Sequence, residues 1–391
     1  MHAREIVSRF FDNALPQIHA ARRGVLSAVV VAAMSGHWLS LSRLARGVVD
    51  SGSLKAAIKR VDRLIGHARI GQEAREVGAA LMARLCTLQS PLVIAVDWSA
   101  VAPGGAFVEL RAAVTWSGMG RGLTVYQCVY PERRLGDGKA ERALLRCLRA
   151  WVPAQVPVIV VTDAGFRRPW FREVERLGWS YIGRVRRGVN LSHHNAWMTI
   201  ANWFERATTK AKRWRDCTLT RHTPFACDVV LVRRPRRGRN AYRRPGHGST
   251  PKAAREARGS AQEPWLLAHS PALRTCRPDE IVAWYSRRMQ IEENFRDSKS
   301  LPFGMGQSLG RSRSASRLHA LLLISTLAAF FLWHIGQLAE AEGLQRRYRA
   351  TTRTTRELSI ITLALLLCTL PTLPLSPQAV QTLHRRLGGR R

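Results

Sequence analysis

The segment WYSRRMQIEENFRDSKS, residues 284–300, sets Tyr285, Arg288, Glu292 and Lys299 at offsets of 0, 3, 7 and 14. On one continuous α-helix, counted at about 100° per residue, these four project at about 0°, 300°, 340° and 320°, inside a stripe about 60° wide. The stripe sets an acid of the kind hard cations take beside a tyrosine and two cations. A solvated face mixes its charges more loosely, and a core face is apolar, so neither accounts for the stripe. Glu293 lies about 100° around from Glu292 and belongs to another face.

Two further acids occupy telling places. Asp97 closes the apolar run PLVIAVDW, and Asp163 closes VPVIVVTD. Each run reads as a strand buried on both faces. A carboxylate at the carboxyl end of such a strand is costly, and that end is where open α/β sheets bind ligands. Either aspartate could instead cap the turn that follows its strand. Adjacent strands would bring the two acids together, and Glu292 from a docked helix would complete a pocket for Mg²⁺. Two such ions stabilise the attacking and leaving oxygens of an in-line phosphoryl displacement.

The elements that must position these groups are legible in order. Residues 1–86 read as helices, with Gly36 closing VLSAVVVAAMSG and Ser53 as the N-cap of a basic helix, a helix-turn-helix-like pattern. Strands follow at Pro91–Trp98, Phe107–Trp116 and Leu123–Tyr130, then helix GKAERALLRCLRAW, strand VPVIVVTD, helix RPWFREVERLG and strand WSYIGRV. The first three strands pair as a meander, and later ones enter through crossover helices. Residues 186–263 break into strand-like pieces such as DVVLVRR, an Arg-rich run RRPRRGRNAYRRPGHG and the tryptophans 197, 203 and 214. Pro278, Asp279 and Glu280 then open a helix expected to run unbroken to Pro302, with Trp284, Ile291 and Phe295 as its docking seam.

Composition narrows the partners. Sixty-two Lys and Arg against 27 Asp and Glu give a net charge of +35, so a polyanion, above all nucleic acid, is the natural ligand. Hydrophobic content of 46% excludes a wholly disordered chain. Seven cysteines without a CxxC pair fit buried thiols in a reducing cytosol. The adjacent His193 and His194 are a loop rather than a chelate. The start of the chain mixes charge into its apolar residues, unlike a signal peptide. The apolar run 320–338 is interrupted by Ser325, Thr326, His334 and Gln337, and reads as a buried helix, not a membrane span.

With those residues in place, the chain resembles the DDE transposases of the IS4 family, and within it the IS10 (Tn10-type) branch. YSRRMQIEENFRDSK matches the family's Tyr-x2-Arg-x3-Glu-x6-Lys signature, and VIAVDWS and VTDAGFRRPWF look like its two Asp contexts; the likeness covers roughly residues 20–340. The resemblance implies an α/β fold: a ribonuclease-H-like core of mixed sheet and flanking helices, interrupted by a β-rich insertion, with helical regions at both ends. The matching divisions are 1–88 (helical, DNA-binding), 89–185 (first part of the core), 186–270 (insertion), 271–310 (second part, with the signature helix) and 311–391 (helical, a candidate for dimer contacts).

It further implies cut-and-paste transposition with a hairpin on the transposon end. Two Mg²⁺ ions, for which Mn²⁺ can stand in, would be held by Asp97, Asp163 and Glu292, while Tyr285, Arg288 and Lys299 grip phosphates. Trp265, in EPWLLAHS, stands where the family stacks a Trp on a flipped base; a core Trp opening a strand is the plainer reading. The implied partners are double-stranded terminal inverted repeats, target DNA and a second copy of the chain, in a bacterial cytoplasm and on the nucleoid when DNA-bound. A metal-dependent nuclease or resolvase on the same core would need the acids but has less use for Tyr285, Lys299 and Trp265. A transposase-derived DNA-binding regulator would have no use for the acids.

Overall fold

Apolar periodicity builds the first helices. In the computed structural model, which describes residues 2–49, 52–86, 88–101, 105–234, 263–300, 304–307, 312–352, 354 and 357–388, they are α1 (Ala3–Ala14), α2 (Ala20–Met34), α3 (Leu41–Gly47), α4 (Leu54–Ile65) and α5 (Ile70–Leu85). Gly36, just past α2, has φ +86°, a left-handed conformation that glycine adopts without steric cost. The Ser53 hydroxyl accepts from the Ala56 N–H at 3.2 Å, capping α4. That helix buries Ala57, Val61, Leu64 and Ile65 and leaves Lys55, Lys59 and Arg63 exposed.

Three strands follow, β1 (Leu92–Ala100), β2 (Phe107–Val114) and β3 (Leu123–Pro131), and then α6 (Gly138–Trp151). The strands form the expected antiparallel meander, with Asp97 opposite Arg111 and Ser99 opposite Glu109. Next come β4 (Val158–Thr162), α7 (Arg168–Arg176), β5 (Ser180–Val185), β6 (Asn190–His193), β7 (Ala196–Thr199), α8 (Ile200–Glu205), β8 (Lys212–Leu219), β9 (Phe225–Val232), β10 (Trp265–His269) and α9 (Pro278–Ser286). The chain ends with α10 (Met289–Lys299), α11 (Ala315–Ala341), α12 (Ile360–Cys368) and α13 (Pro377–Gly388).

These elements make two compact units, Met1–Val158 with Met289–Arg391, and Ile159–Arg288. In the first unit α11 is the core helix, packed on α2, α5, β3 and α12. Among the described residues it alone is long and apolar enough to cross a membrane, and 89% of its most apolar window is buried inside the protein. Phe10 of α1 meets Phe330 and Phe331 of this helix at 5.6 and 5.2 Å between ring centres.

In the second unit β4 and β5 run parallel through the α7 crossover, and the strand order continues β10, β9, β8, β6, β7, all antiparallel past β5. His194 and Asn195, at φ +50° and +61°, form the two-residue turn between β6 and β7. Trp203 is fully buried, edge-on to Trp214 at 5.3 Å, so the tryptophans of 186–234 do mark folded structure. The Arg-rich run of 233–248 lies, from residue 235 on, outside the described residues. All seven cysteines are free thiols.

The signature segment departs from expectation. It is two helices, α9 and α10, with Arg287 and Arg288 between them. The N–H groups of Arg287 and Arg288 donate to Trp284 and Tyr285 three residues back, at 3.1 and 3.0 Å. This tighter hydrogen-bonding pattern changes the rotation per residue. The single-stripe projection therefore fails between Tyr285 and Glu292. It holds inside α10, where Glu292 and Lys299 lie within about 20° of each other.

Candidate active site

Asp97 stands where the buried run Leu92–Val96 of β1 gives way to half-buried residues, and its carboxylate accepts the Trp98 N–H at 2.8 Å. Side chains two apart on a strand share a face, so Asp97 and Ser99 point the same way, with Arg111 and Glu109 beside them on β2. The helix α10 packs against β1 and β3. Lys299, at its end, donates to the Ser99 hydroxyl at 2.7 Å. Burial pulls the Lys299 ammonium below its ordinary pKa; Glu109 and Asp97 oppose that shift and Arg111 adds to it.

Under this group lies an ion pair that sequence reasoning missed. Arg111 meets Glu109 at 2.9 Å, with side chains 2% and 0% exposed. The Arg111 guanidinium also reaches the Ser298 hydroxyl at 3.4 Å and sits 4.6 Å from the Phe295 ring centre. The signal was present in FVELRAAV: two opposite charges at alternate positions of an otherwise apolar strand share one face. Phe295 and Ile291 are buried, as the docking seam requires; Trp284 is half-buried.

In the second unit Asp163 immediately follows β4 and is half-buried. Its carboxylate accepts the Gly165 N–H at 2.7 Å, an Asx turn that shapes the chain before α7. Tyr285 is not displayed on a helix edge but buried, 3% exposed. Its ring meets Trp265 edge-on at 4.9 Å, because α9 packs against β5 and β9 next to β10. Burial pushes the Tyr285 phenol above its ordinary pKa, against the pull of Arg288 and Arg184, and Asp163 pushes the same way. Arg288 is half-buried, its guanidinium 6.0 Å from the Tyr285 ring.

Two further cations attend this group without having been singled out from sequence. Arg184 lies on β5 opposite Leu267 of β10. Arg234 stacks 4.8 Å from the Trp265 ring and donates to the Ser286 hydroxyl at 2.7 Å. Trp265 does open a strand, yet it stays half-buried.

Three carboxylates are hard oxygen donors of the kind divalent cations take, so the chemistry of the set suits a metal. Among the described residues, no group of three or more His, Cys, Asp and Glu side chains converges as a metal cluster. Strand-borne acids beside Lys and Arg, in a chain of net charge +35, define a protein suited to phosphodiester chemistry on a polyanion. The family model "Transposase DDE domain" matches residues 90–330, more than half of the chain, and the chain belongs to that family. No curated protein matches the chain. Membership makes it a transposase-type enzyme of DNA recombination with a ribonuclease-H-like core, in a family that generally uses divalent metal ions and is typically soluble and cytoplasmic.

Proposed function

We propose that the chain is a cut-and-paste transposase of the IS4 family, of the IS10 type, which cleaves at terminal inverted repeats, forms a hairpin on the transposon end and joins that end to target DNA. The observation that carries this reading is the span of the family match, which takes in Asp97, Asp163, Trp265, Tyr285, Arg288, Glu292 and Lys299 together. Asp97, Asp163 and Glu292 are the residues that would hold two divalent ions, Mg²⁺ or Mn²⁺. When bound, such ions supply Lewis-acid stabilisation to the oxygens of the displacement.

The protein's own groups do the rest of the positioning. Lys299, held at Ser99 two residues past Asp97, places a cation where a phosphate next to that acid would lie. Arg288, in the second unit, would also hold a phosphate. Tyr285 is buried, and its packing supports Trp265. Trp265, half-buried and flanked by Arg234, offers a ring on which a flipped base can stack for about 1–3 kcal/mol. The exposed Lys55, Lys59 and Arg63 face of α4 favours DNA binding by residues 1–88. Two copies, each acting on one end, complete the reaction in the bacterial cytoplasm.

The test is a labelled transposon-end duplex with flanking DNA, incubated with protein and Mg²⁺ and resolved on a denaturing gel. A hairpin that disappears in Glu292→Gln is the expected result. Nicks without hairpin or joining would replace this reading with a nuclease, and tight binding without cleavage with a DNA-binding regulator.

A further inference from the structure

Glu292 and Lys299 occupy one edge of α10, and a different edge of the same helix is fastened. Counted from Glu292 at about 100° per residue, Glu293, Asp297 and Gln290 lie at about 100°, 140° and 160°. All three meet the segment Trp116–Arg121 that links β2 to β3. The Gln290 amide takes both main-chain groups of Trp116: its oxygen accepts the N–H at 3.2 Å and its nitrogen donates to the C=O at 2.5 Å. Two turns further along, Arg121 forks onto the Asp297 carboxylate at 2.7 and 3.2 Å and passes Glu293 at 3.6 Å. Gln290 and Asp297 are 7% and 6% exposed. At the far end the Asp297 C=O accepts the Met305 N–H at 2.8 Å.

Ile291 and Phe295 already dock the helix, and apolar docking is non-directional. It holds a helix down without fixing its rotation. Directional polar contacts at two points about 10 Å apart along the axis fix both rotation and axial position. A turn of about 20° would move a side-chain end about 6 Å from the axis by roughly 2 Å. Misplacement of reacting groups by about 1 Å can cost about 100-fold in rate.

We propose that Gln290, Asp297 and Arg121 are positioning residues: the β2–β3 connection clamps α10 at the rotation that presents Glu292 and Lys299 to the Asp97 face. This rests on the transposase reading above.

The test compares Asp297→Asn, Arg121→Met and Gln290→Ala with the wild type on the labelled transposon-end duplex and by amide hydrogen exchange. The clamp predicts that kcat for cleavage falls by about 100-fold, while the DNA dissociation constant stays within about two-fold. Exchange should quicken over residues 290–299 with β1 unchanged, Arg121→Lys should recover part of the rate, and Arg121→Met with Asp297→Asn should be no worse than either alone. Wild-type cleavage by Asp297→Asn would overturn the clamp. So would a loss that tracks unfolding of the whole unit, seen as faster exchange in β1 as well. If the wild type cleaves no end, the transposase reading fails. The exchange measurement still decides the clamp, because unchanged protection of 290–299 in Asp297→Asn refutes it.

Discussion

Asp97 and Asp163 read alike in the sequence, each closing a buried apolar strand, yet their settings differ. Asp97, whose carboxylate accepts the Trp98 N–H, shares its strand face with a polar group of half-buried Ser99 and Lys299 and buried Glu109 and Arg111, residues brought from three elements. Asp163 is held by its own turn, through the N–H two residues on. Both acids are half-buried and each accepts a nearby main-chain N–H, but the first also sits in a polar group assembled over long range. Asp97 therefore adds packing between elements to a local contact, whereas Asp163 is shaped by its turn, although both would serve the same reaction.

The largest expected effect treats the two alike. Asp97→Asn and Asp163→Asn should each reduce cleavage of the transposon end below detection, as Glu292→Gln should. If one variant keeps activity, the two acids do not share a function and the comparison fails. Stability should then separate them.

Arg111→Met leaves Glu109 charged and buried without its partner, at a cost of about 3–5 kcal/mol. Pairing it with Glu109→Leu should recover most of that loss in a urea unfolding curve, because the unpaired charge goes with it. An additive double variant would mean that the pair is not coupled.

A third carboxylate sharpens the contrast. Asp228, fully buried on β9, is another long-range case, held by Arg274 at 2.8 Å and by the Asp216 N–H at 3.0 Å. Burial raises its pKa, but the hydrogen bonds from Arg274 and the Asp216 N–H outweigh that and leave it lowered. A folded pKa below the unfolded one means stability that is present above about pH 4 and lost as pH falls through the folded value. Arg274→Met should lessen this dependence in acid unfolding followed by fluorescence. An unchanged acid limb would refute the assignment.

The smallest effect belongs to Asp163. Asp163→Ala removes one turn hydrogen bond and should lower stability by only about 1 kcal/mol. A loss as large as that of Arg111→Met would erase the distinction between the settings.

Much of this protein was decided by its sequence alone. Apolar runs placed β1 and β4, GKAERALLRCLRAW became α6 from its first residue to its last, and Ser53 caps its helix. Each of these depends on periodicity or on a neighbour within four residues, so the information lies in one short window. The acids at the strand ends, and the Glu292–Lys299 spacing within one helix, were legible for the same reason. Other features were settled only by the tertiary structure. The signature helix breaks at Arg287 and Arg288, Tyr285 turns inward onto Trp265, Arg111 reaches Ser298 from 187 residues away, and Arg121 reaches Asp297 from 176 residues away. Propensity and periodicity describe what a segment favours by itself. Which buried polar group meets which partner is set when packing removes water from both, and that choice is made between segments far apart in the chain.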